Sequence, residues 1–405
     1  MPCGEIIIVG DEILTGEVLD TNSFELAREL ADAGFNITQI TAVGDNKAAI
    51  QEVLATALKR ADLIVLTGGL GPTWDDKTVK AVADALGLPL EINEQTYAHL
   101  KEHLERQGLQ FLPGHEKMAL LPKGSQPIGI AFHACGFKLL YQNKILYFLP
   151  GVPKQMRQIL QEQVLPDLKG RFLHRSILFK KTLRVFGISE SEVQAKIETV
   201  LSRFPEVKVS SLPHFPEVHL VLRTEKEAVL QQIVKEVKAI LGNNIFGEDT
   251  ETMAEVVGKL LLQKGYKLAT AESLTGGLIS HLITEVAGSS AYFERGVVTY
   301  SNEAKIEILG VPAEIIATYG AVSEPTARYM AEGIRRLAQS DIAVAVTGYA
   351  GPTGGPEAPV GTVFIALATQ RRTKVSSYHF EGNREEVKII TAMTALDKIR
   401  RYLLS

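Results

Sequence analysis

The chain has 405 residues, of which 45% are hydrophobic, and its 43 basic and 47 acidic side chains give a net charge of −4. This length is sufficient for two or three domains, each with its own core. The near-neutral balance argues against a protein that mainly binds nucleic acid, because such proteins usually carry a basic excess. With only two cysteines, Cys3 and Cys135, neither a disulfide framework nor a cysteine-rich zinc site is expected.

The start of the sequence gives no sign of export. Its apolar run, Ile6 to Val9, is too short for a signal peptide and has no basic segment before it. No stretch approaches the length of a membrane span. We therefore expect a soluble, cytoplasmic protein without membrane contact.

Residues 1–165 alternate apolar strands with amphipathic helices. The predicted elements are strand Glu5–Val9, helix Asn22–Ala33, strand Asn36–Val43, helix Lys47–Arg60, strand Asp62–Thr67 and helix Asp76–Leu86. Such alternation predicts a mostly parallel sheet with helices on both faces.

Polar and glycine-rich segments follow the first and third of these strands. Glycine turns let a phosphorylated ligand approach the backbone, and carboxylates suit Mg²⁺-like ions. Standing alone, Asp75 and Asp76 would be read as acidic residues that start a helix. Beside Gly68-Gly69-Leu70-Gly71-Pro72-Thr73, they favour a phosphate-and-metal site.

The middle of the chain, about residues 170–246, predicts a small open-faced α+β unit. Its predicted elements are strand Ser176–Val185, helix Glu190–Phe204, strands Val207–Ser211 and Val218–Arg223, and helix Glu225–Leu241. It has no glycine-rich loop, so we assign no chemistry to it.

A third unit begins near Asp249. The predicted helices are Met253–Lys264, Gly277–Val286, Glu324–Ala338 and Arg384–Leu404, and the predicted strands are Tyr266–Ala271, Val297–Ser301, Ile342–Thr347 and Thr362–Thr369. Three of these strands end in polar or glycine-rich segments. Open α/β sheets bind ligands at the carboxyl ends of their strands, so we expect these segments to form one site.

The segments at these strand ends supply the groups of an amidohydrolase. Ser273 offers a hydroxyl nucleophile, Tyr300 a phenol and Lys305 an amine base, while Gly276 and Gly277 open a helix whose N–H groups could hold a phosphate or an oxyanion. Taken singly, Ser273 or Thr275 would be a helix cap and Lys305 a solvated surface lysine. Their coincidence with the loop 347–355 favours a catalytic site.

Residues 250–405 resemble the carboxyl-terminal domain of the CinA (competence/damage-inducible protein A) family, some of whose members are nicotinamide mononucleotide deamidases. The matching motifs are Thr-Ala-Glu-Ser-x-Thr-Gly-Gly (270–277), Gly-Ser-Ser (288–290), Tyr-Ser-Asn-x-Ala-Lys (300–305), Gly-Ala-Val-Ser (320–323), Thr-Gly-x-Ala-Gly-Pro-x-Gly-Gly (347–355) and Pro-Val-Gly-Thr-Val (359–363).

This resemblance implies that Ser273 attacks the carboxamide, that Lys305 is its base, and that Tyr300 assists; no cofactor is implied there. A lysine base acts when neutral, so we expect a desolvated Lys305 with a lowered pKa. The substrate contacts implied by the motifs are Thr275, Gly276, Gly277, Ser289, Ser290, Asn302, Thr347, Gly348, Gly351 and Gly354. One departure is Ala358, where the family commonly has a lysine that could hold the substrate phosphate.

The amino-terminal part contains the motifs Gly-Asp-Glu-x-Leu-x-Gly (10–16), Asp-Thr-Asn (20–22), Val-Gly-Asp (43–45), Gly-Gly-Leu-Gly-Pro-Thr-x-Asp-Asp (68–76) and Phe-Leu-Pro-Gly-Val-Pro (148–153). In these it resembles the molybdopterin-binding (MoaB/MogA-like) domain in its CinA form, some members of which hydrolyse ADP-ribose with a divalent metal. The implied nucleotide contacts are Gly10, Asp11, Glu12, Asn22, Gly68, Gly69, Gly71, Pro72 and Thr73, and the implied metal ligands are Asp20, Asp75 and Asp76. Gln155, where a glutamate is usual, and the inserted Phe132-His133-Ala134 depart from the pattern and put the hydrolysis in doubt.

The middle unit resembles the family's KH-like domain but lacks the Gly-x-x-Gly loop that grips nucleotides, so nucleic acid is not an expected partner. The predicted domains are thus a three-layer MoaB/MogA-like α/β domain (1–169), a KH-like α+β domain (170–247) and an α/β deamidase domain (248–405), and the family suggests a homodimer. Two alternatives are a non-catalytic pterin- or nucleotide-binding protein acting in competence or the DNA-damage response, and an enzyme that transfers adenylyl groups to molybdopterin.

Overall fold

The computed structural model describes residues 2–130, 135–171, 179–355 and 358–405. The chain divides into two compact units, Met1–Leu178 and Phe179–Ser405. The first is the predicted three-layer α/β domain, and the second contains both the small α+β domain and the carboxyl-terminal α/β domain.

The first unit is built on a six-stranded sheet in the order β2-β1-β3-β8-β7-β6, in which β2, β1, β3 and β8 are parallel. A two-stranded sheet joins β4 to β5. The elements are β1 Cys3–Val9, α1 Asp11–Leu14, α2 Asn22–Asp32, β2 Asn36–Val43, α3 Lys47–Arg60, β3 Leu63–Thr67, α4 Thr78–Leu86, β4 Leu90–Ile92, α5 Glu94–Arg106, α6 Pro113–Lys117, β5 Leu120–Pro122, β6 Gln126–Ile128, β7 Gly136–Tyr141, β8 Lys144–Leu149, α7 Pro153–Ile159 and α8 Leu165–Arg171.

Strand β1 shows why this domain has three layers. Its side chains alternate between two cores: Ile7 and Val9 pack with α3 and α4, whereas Ile6 and Ile8 pack with α2 and α7. A strand covered on both faces becomes an uninterrupted apolar run, as Ile6–Val9 is.

The middle domain is a four-stranded antiparallel sheet in the order β10-β11-β9-β12. Its elements are β9 Phe179–Phe186, α9 Glu190–Leu201, β10 Lys208–His214, β11 Glu217–Thr224, α10 Glu227–Leu241 and β12 Ile245–Glu248. Helices α9 and α10 share one core with the sheet.

The carboxyl-terminal domain has a five-stranded sheet in the order β14-β13-β15-β16-β17, in which the first three strands are parallel and the last two antiparallel. Separate cores cover its two faces. The elements are α11 Met253–Lys264, β13 Leu268–Glu272, α12 Leu278–Thr284, β14 Phe293–Val298, α13 Asn302–Leu309, α14 Ala313–Tyr319, α15 Glu324–Ala338, β15 Ile342–Gly348, β16 Thr362–Thr369, β17 Thr373–His379 and α16 Arg384–Leu404.

The middle and carboxyl-terminal domains are packed into one unit. Phe186 of β9 belongs to the core that α11 and α16 form. Arg400 of α16 is buried and donates to the carbonyl of Asn243, while Asp397 holds its guanidinium. A buried arginine needs such partners, because an unpaired buried charge is costly.

The predicted fold classes are confirmed: an α/β domain, a small α+β domain and a second α/β domain. Six predicted elements also have the observed bounds: β2, α3, α11, α15, β16 and α16. Three differences concern the sites. Helix α4 begins at Thr78 instead of Asp76, helix α12 is shorter than the predicted Gly277–Val286, and β14 ends at Val298, before Tyr300. The elements that were not predicted are strands β4–β8, β12 and β17 and helices α1, α5–α8, α13 and α14. The predicted strand start Ser176 lies outside the described residues.

Two further observations concern the domain boundaries and the membrane. The contact pattern joins the middle domain to the carboxyl-terminal one, so the boundaries 1–169, 170–247 and 248–405 stay predictions.

None of the helices among the described residues is both long and apolar enough to cross a membrane.

Candidate active site and amino-terminal cavity

Ser273 directly follows the central strand β13. Its backbone N–H donates to the carbonyl of Val346 at 3.1 Å and thus extends the β13–β15 pairing by one residue. This bond fixes the serine at the carboxyl end of the sheet, where open α/β sheets bind ligands. Only 8% of the residue is exposed, and that part lines a cavity.

Lys305 comes to this serine from the first turn of α13. Ser301 caps that helix by accepting the N–H of Ala304, and the lysine side chain runs inward until only 1% of the residue is exposed. Its Nζ lies 3.3 Å from Ser273 Oγ. The prediction that distant segments bring these two residues together is confirmed.

Three backbone carbonyls hold the other side of the amine. Lys305 Nζ donates to the carbonyl oxygens of Thr299, Tyr300 and Ser301 at 2.9, 3.0 and 3.4 Å. The ammonium form can donate to all three carbonyls, whereas a neutral amine has two N–H donors and one lone pair and so can donate to only two of them at once. With its donors directed to carbonyls, the lone pair of a neutral Lys305 can accept the hydroxyl proton of Ser273.

The pKa of Lys305 agrees with this role. Burial lowers it from the ordinary lysine value of 10.5 to about 8, and the nearby carboxylate of Glu303 opposes that change only in part. Burial disfavours the charged form of an amine. A substantial neutral fraction is therefore present near pH 8, as the sequence analysis expected.

The turn after Ser273 is organised by Glu272, which is fully buried. Its carboxylate accepts the N–H groups of Gly277, Ile279 and Ser280 at 3.0, 3.0 and 2.8 Å. It also accepts the hydroxyls of Thr275 and Ser280 at 2.8 and 2.7 Å. A protein carboxylate thus occupies the position that an anionic ligand could take at this helix start.

This arrangement corrects the expectation for the two glycines. The N–H of Gly277 is bound to Glu272, and that of Gly276 donates to the carbonyl of Ser273 at 3.1 Å, so neither is free for an oxyanion or a phosphate. Gly277 has a φ of 100°, which explains the glycine through backbone geometry.

Two N–H groups close to the nucleophile, those of Leu274 and Thr275, have no acceptor among the described residues. Leu274 follows Ser273 and lines the cavity. The amide of the residue after a nucleophile is a common oxyanion donor. Leu274 was not predicted, because the sequence pattern of a ligand-binding turn pointed to the glycines and not to the residue after the serine.

The cavity around Ser273 has a volume of about 310 Å³. Six predicted residues line it: Ser273, Tyr300, Lys305, Thr347, Gly348 and Gly351. The other lining residues, which were not named as contacts, are Leu274, Ala321, Val322, Tyr349, Ala350, Thr353 and Arg384, and of these only Arg384 lies outside the motifs found in the sequence. The hydroxyl of Thr347 donates to the carbonyl of Ala321 at 2.8 Å and so joins two of the lining segments.

Arg384 supplies a cation to this cavity. It is the first residue of α16, and its guanidinium donates to the carbonyl of Gly351 and to the hydroxyl of Tyr300, the latter at 3.2 Å. The Tyr300 ring is 62% exposed, and its hydroxyl thus meets Arg384, whereas its backbone carbonyl meets Lys305. Arg384 could have been noted as a basic residue at the start of a predicted helix, where bases are unusual.

Seven predicted substrate contacts do not line the cavity: Thr275, Gly276, Gly277, Ser289, Ser290, Asn302 and Gly354. Thr275 is buried against Glu272. Ser289 and Ser290 form a short turn that precedes β14, whereas Ser273 follows a parallel strand, so they lie at the opposite ends of the strands. Asn302 is exposed at the start of α13, and Gly354 packs against residues 358–360. Ala358 is likewise absent from the lining, while Pro356 and Glu357 lie outside the described residues.

A second cavity, of about 500 Å³, lies in the amino-terminal domain. The predicted residues that line it are Gly10, Glu12, Gly68, Gly69, Gly71, Pro72, Asp75, Asp76 and Gln155. Gly68 is required by close contact: its φ is 105°, and a Cβ there would lie 2.0 Å from the carbonyl oxygen of Val9. The inserted residues 132–134 lie outside the described part of the chain.

Four predicted residues of this site are not in the lining. Asn22 is buried beneath it, where its amide donates to Gly151 and Thr67. Asp20, which lies just before α2, accepts the N–H of Ser23 in the first turn of that helix. The N–H of Thr73 donates to the carboxylate of Asp76. The backbone N–H of Asp11 donates to the carboxylate of Asp45 at 3.0 Å, and that of Asp45 donates to the carboxylate of Asp11 at 3.1 Å.

The predicted metal site at Asp20, Asp75 and Asp76 is not formed. Asp20 is committed to α2, and within the described ranges no group of three or more histidine, cysteine, aspartate or glutamate side chains could hold a metal ion. Asp76 also does not start α4, because its carboxylate accepts the N–H of Thr73. The three aspartates predicted as ligands are therefore not brought together among the described residues, although Asp75 and Asp76 both line the cavity.

Asp45, the end of the Val-Gly-Asp motif (43–45), was given no role in the sequence analysis but lines this cavity as well. Burial raises its pKa, and repulsion from Asp11, Glu12 and Asp75 adds to this effect, while the N–H of Asp11 opposes it. With Glu12, Asp75 and Asp76 it makes the lining acidic.

Comparison with known proteins agrees with this description of the fold. The family model described as "CinA C-terminal domain" matches residues 250–403, "Probable molybdopterin binding domain" matches 5–170, and "Damage-inducible protein CinA KH domain" matches 180–247. The chain thus combines a MoaB-like α/β domain, a KH-like domain and an α/β domain with a buried Ser–Lys pair.

Full-length relatives show the same combination. A CinA-like protein of Geotalea daltonii is 43% identical over 408 residues, which cover 99% of this chain and 98% of the relative. A CinA-like protein of Syntrophus aciditrophicus is 45% identical over 411 residues, covering 98% and 97%. The chain belongs to the CinA family.

Solved structures match part of the chain. The competence/damage inducible protein CihA from Agrobacterium tumefaciens is 40% identical and covers 38% of this chain and 98% of its own, with a TM-score of 0.36. The protein CinA from Thermoplasma acidophilum is 33% identical and covers 41% and 98%, with a TM-score of 0.39.

Proposed function

We propose that the carboxyl-terminal domain is an amidohydrolase that converts nicotinamide mononucleotide to nicotinate mononucleotide and ammonia, in pyridine nucleotide salvage. The observation that carries this proposal is the buried Lys305 Nζ at 3.3 Å from Ser273 Oγ. A desolvated lysine beside a serine is a nucleophile–base pair that works without histidine.

The reaction follows from the groups in the cavity. Neutral Lys305 accepts the proton of Ser273 while Oγ attacks the carboxamide carbon, and the N–H of Leu274 stabilises the resulting oxyanion. The protonated lysine then gives its proton to the amide nitrogen, and ammonia leaves with cleavage of the C–N bond. Water attacks the ester carbon while Lys305 accepts a proton from it. The lysine then returns this proton to Oγ of Ser273 as the C–O ester bond breaks, and the acid product leaves and ionises to the carboxylate.

Arg384 supports a phosphorylated substrate. It is a cation that lines the cavity, and guanidinium groups bind phosphate through paired hydrogen bonds. We propose that it holds the phosphate of the mononucleotide, the role that the sequence analysis considered for the lysine that is absent at Ala358. Tyr300, whose hydroxyl contacts Arg384, then helps to orient that phosphate.

The test is an ammonia-release assay on the full-length protein with nicotinamide mononucleotide. The wild-type protein should release ammonia, and Ser273→Ala should lose at least about 1,000-fold of that rate. Ser377→Ala, an exposed serine of β17, is the matched control. Unchanged ammonia release by Ser273→Ala would exclude the proposed nucleophile.

For the amino-terminal domain, we propose binding of ADP-ribose or a related nucleotide. The two glycine turns and the cavity of about 500 Å³ favour such a ligand. We derive no metal-dependent hydrolysis, because the acidic side chains do not group as ligands. Isothermal titration of the full-length protein with ADP-ribose tests this proposal, and absence of binding contradicts it.

A further inference from the structure

Two cavities lie where the turn between β16 and β17 approaches the last turns of α16. Their volumes are about 250 and 430 Å³, and they share Thr369, Arg372, Tyr402 and Ser405. They have no lining residue in common with the cavity at Ser273. They are therefore separate from the proposed active site.

The lining of these cavities is strongly basic. The first contains Arg372, Lys374, Lys398 and Arg401. The second adds Lys264 and Arg371. No aspartate or glutamate lines either one. The side chains that line the first cavity thus carry four positive charges and no negative one.

Most of these cations lack an anionic partner. In the part of the chain that the structure describes, Arg372, Lys374 and Lys398 form no ion pair, although Arg401 binds Asp397 at 2.6 Å. The other oxygen of that carboxylate is held by Arg400. The nearby protein carboxylate is thus already shared by two guanidinium groups.

Among the cations of the first cavity, Lys398 is the one that a bound anion would stabilise most. It is half-buried and donates to the hydroxyls of Ser376 and Tyr378 at 2.7 and 3.4 Å. Burial lowers its pKa, and repulsion from Lys374 lowers it further, although Asp397 opposes both. The negative end of the α16 dipole is equivalent to about half an elementary charge. This is too little to balance the four cations that line the first cavity.

We propose that this basic cavity binds a small anion of the phosphate class that carries at least two phosphate charges. Lysine and arginine donors are the usual protein ligands of phosphate. Leu367 and Tyr402 in the lining offer an apolar surface for an organic part of the ligand. The site stands independently of the proposed amidohydrolase.

The test measures binding of inorganic pyrophosphate to the full-length protein by isothermal titration. Lys398→Met and Arg372→Ala should each weaken binding about tenfold, because each removes a charged hydrogen bond. Lys235→Met, an exposed lysine of α10, is the charge-matched control and should bind like the wild type. Without pyrophosphate, Lys398→Met should unfold at a higher temperature than the wild type, because it removes an uncompensated charge.

Two results would overturn the proposal that this cavity binds a phosphate-class anion. If Lys398→Met and Arg372→Ala bind pyrophosphate like the wild type, or no more weakly than Lys235→Met, the proposal is overturned. It is overturned as well if Arg384→Ala alone abolishes binding, because pyrophosphate then occupies the cavity at Ser273. Arg372 is exposed, so its variant remains informative even if Lys398→Met does not fold.

Discussion

Lys305 Nζ lies 3.3 Å from Ser273 Oγ, although the two residues are 32 positions apart in the chain. Strand β13 delivers the serine and helix α13 the lysine, and the carbonyls of residues 299–301 fix the amine between them. This pair determines how the proposed reaction responds to pH and to substitution.

The rate of deamidation should rise about tenfold per pH unit below pH 8 and level off above it. Only neutral Lys305 can accept the serine proton, and its pKa is about 8. Measuring kcat from pH 6 to 10 in the wild type tests this. Lys305→Arg, which stays charged, should be inactive throughout; a flat profile in the wild type would count against the lysine as base.

The same pKa predicts a change in stability. In the unfolded chain Lys305 titrates near 10.5, and in the folded protein near 8. Between these values the unfolded chain binds more protons, so the contribution of Lys305 to the free energy of unfolding rises with pH from about 8 to 10.5 and is constant below 8. Denaturant titrations of wild type and Lys305→Met at several pH values should show the wild type gaining relative to the variant in this window. A constant difference would contradict the buried lysine.

Arg384→Ala should mainly raise KM for nicotinamide mononucleotide. A charged hydrogen bond to phosphate contributes about 1.5–3 kcal/mol, so the increase should be roughly 10- to 100-fold with a smaller change in kcat. Nicotinamide riboside, which lacks the phosphate, should be affected much less by the same variant. Arg336→Ala, an exposed arginine of α15, is the control. An equal loss with both substrates would show that Arg384 does not recognise phosphate.

Glu272→Gln should lower both kcat and stability. The amide would bring its own N–H donors against Gly277, Ile279 and Ser280, so the turn that carries Ser273 would lose its anchor. We expect a loss of about 1–3 kcal/mol in the free energy of unfolding and a larger effect on kcat than on KM. The control is Glu285→Gln, an exposed residue just after α12. Normal kcat in the glutamine variant would show that the carboxylate does not position the serine.

ADP-ribose binding should be stronger in Asp45→Asn than in the wild type when Mg²⁺ is absent. The substitution removes one negative charge from a cavity that also contains Glu12, Asp75 and Asp76, and this should strengthen binding of a diphosphate roughly tenfold. Isothermal titration provides the measurement, with Glu52→Gln, an exposed residue of α3, as the control. Weaker binding by Asp45→Asn would indicate that its carboxylate contacts the ligand directly.

The sequence was sufficient for the parts of the structure that local pattern determines. Apolar periodicity and glycine stops gave several helices and strands to the residue, and the spacing of Ser273 and Lys305 in recognisable motifs gave the reacting pair. The positions of strand ends were less certain. Tyr300 was assigned to a strand, but β14 ends at Val298, which places the phenol in a loop beside Arg384.

Long-range contacts could not be predicted from the sequence. Arg384 begins the last helix and reaches the cavity only because α16 packs beside β15 and β16. Glu272 was missed for a different reason. A glycine-rich helix start is expected to offer free N–H groups, whereas here the carboxylate of Glu272, just before the turn, accepts three of them. An acidic residue immediately before such a turn is a signal that could have indicated this.

The most direct test of the central claim is to trap the ester on Ser273 with hydroxylamine during turnover of nicotinamide mononucleotide. The wild-type protein should form the hydroxamate of nicotinate mononucleotide as well as the acid, since hydroxylamine competes with water for the acyl group, and Ser273→Ala should form neither. Ammonia and acid released by the wild type without any hydroxamate, and at the same rate by Ser273→Ala, would contradict the account.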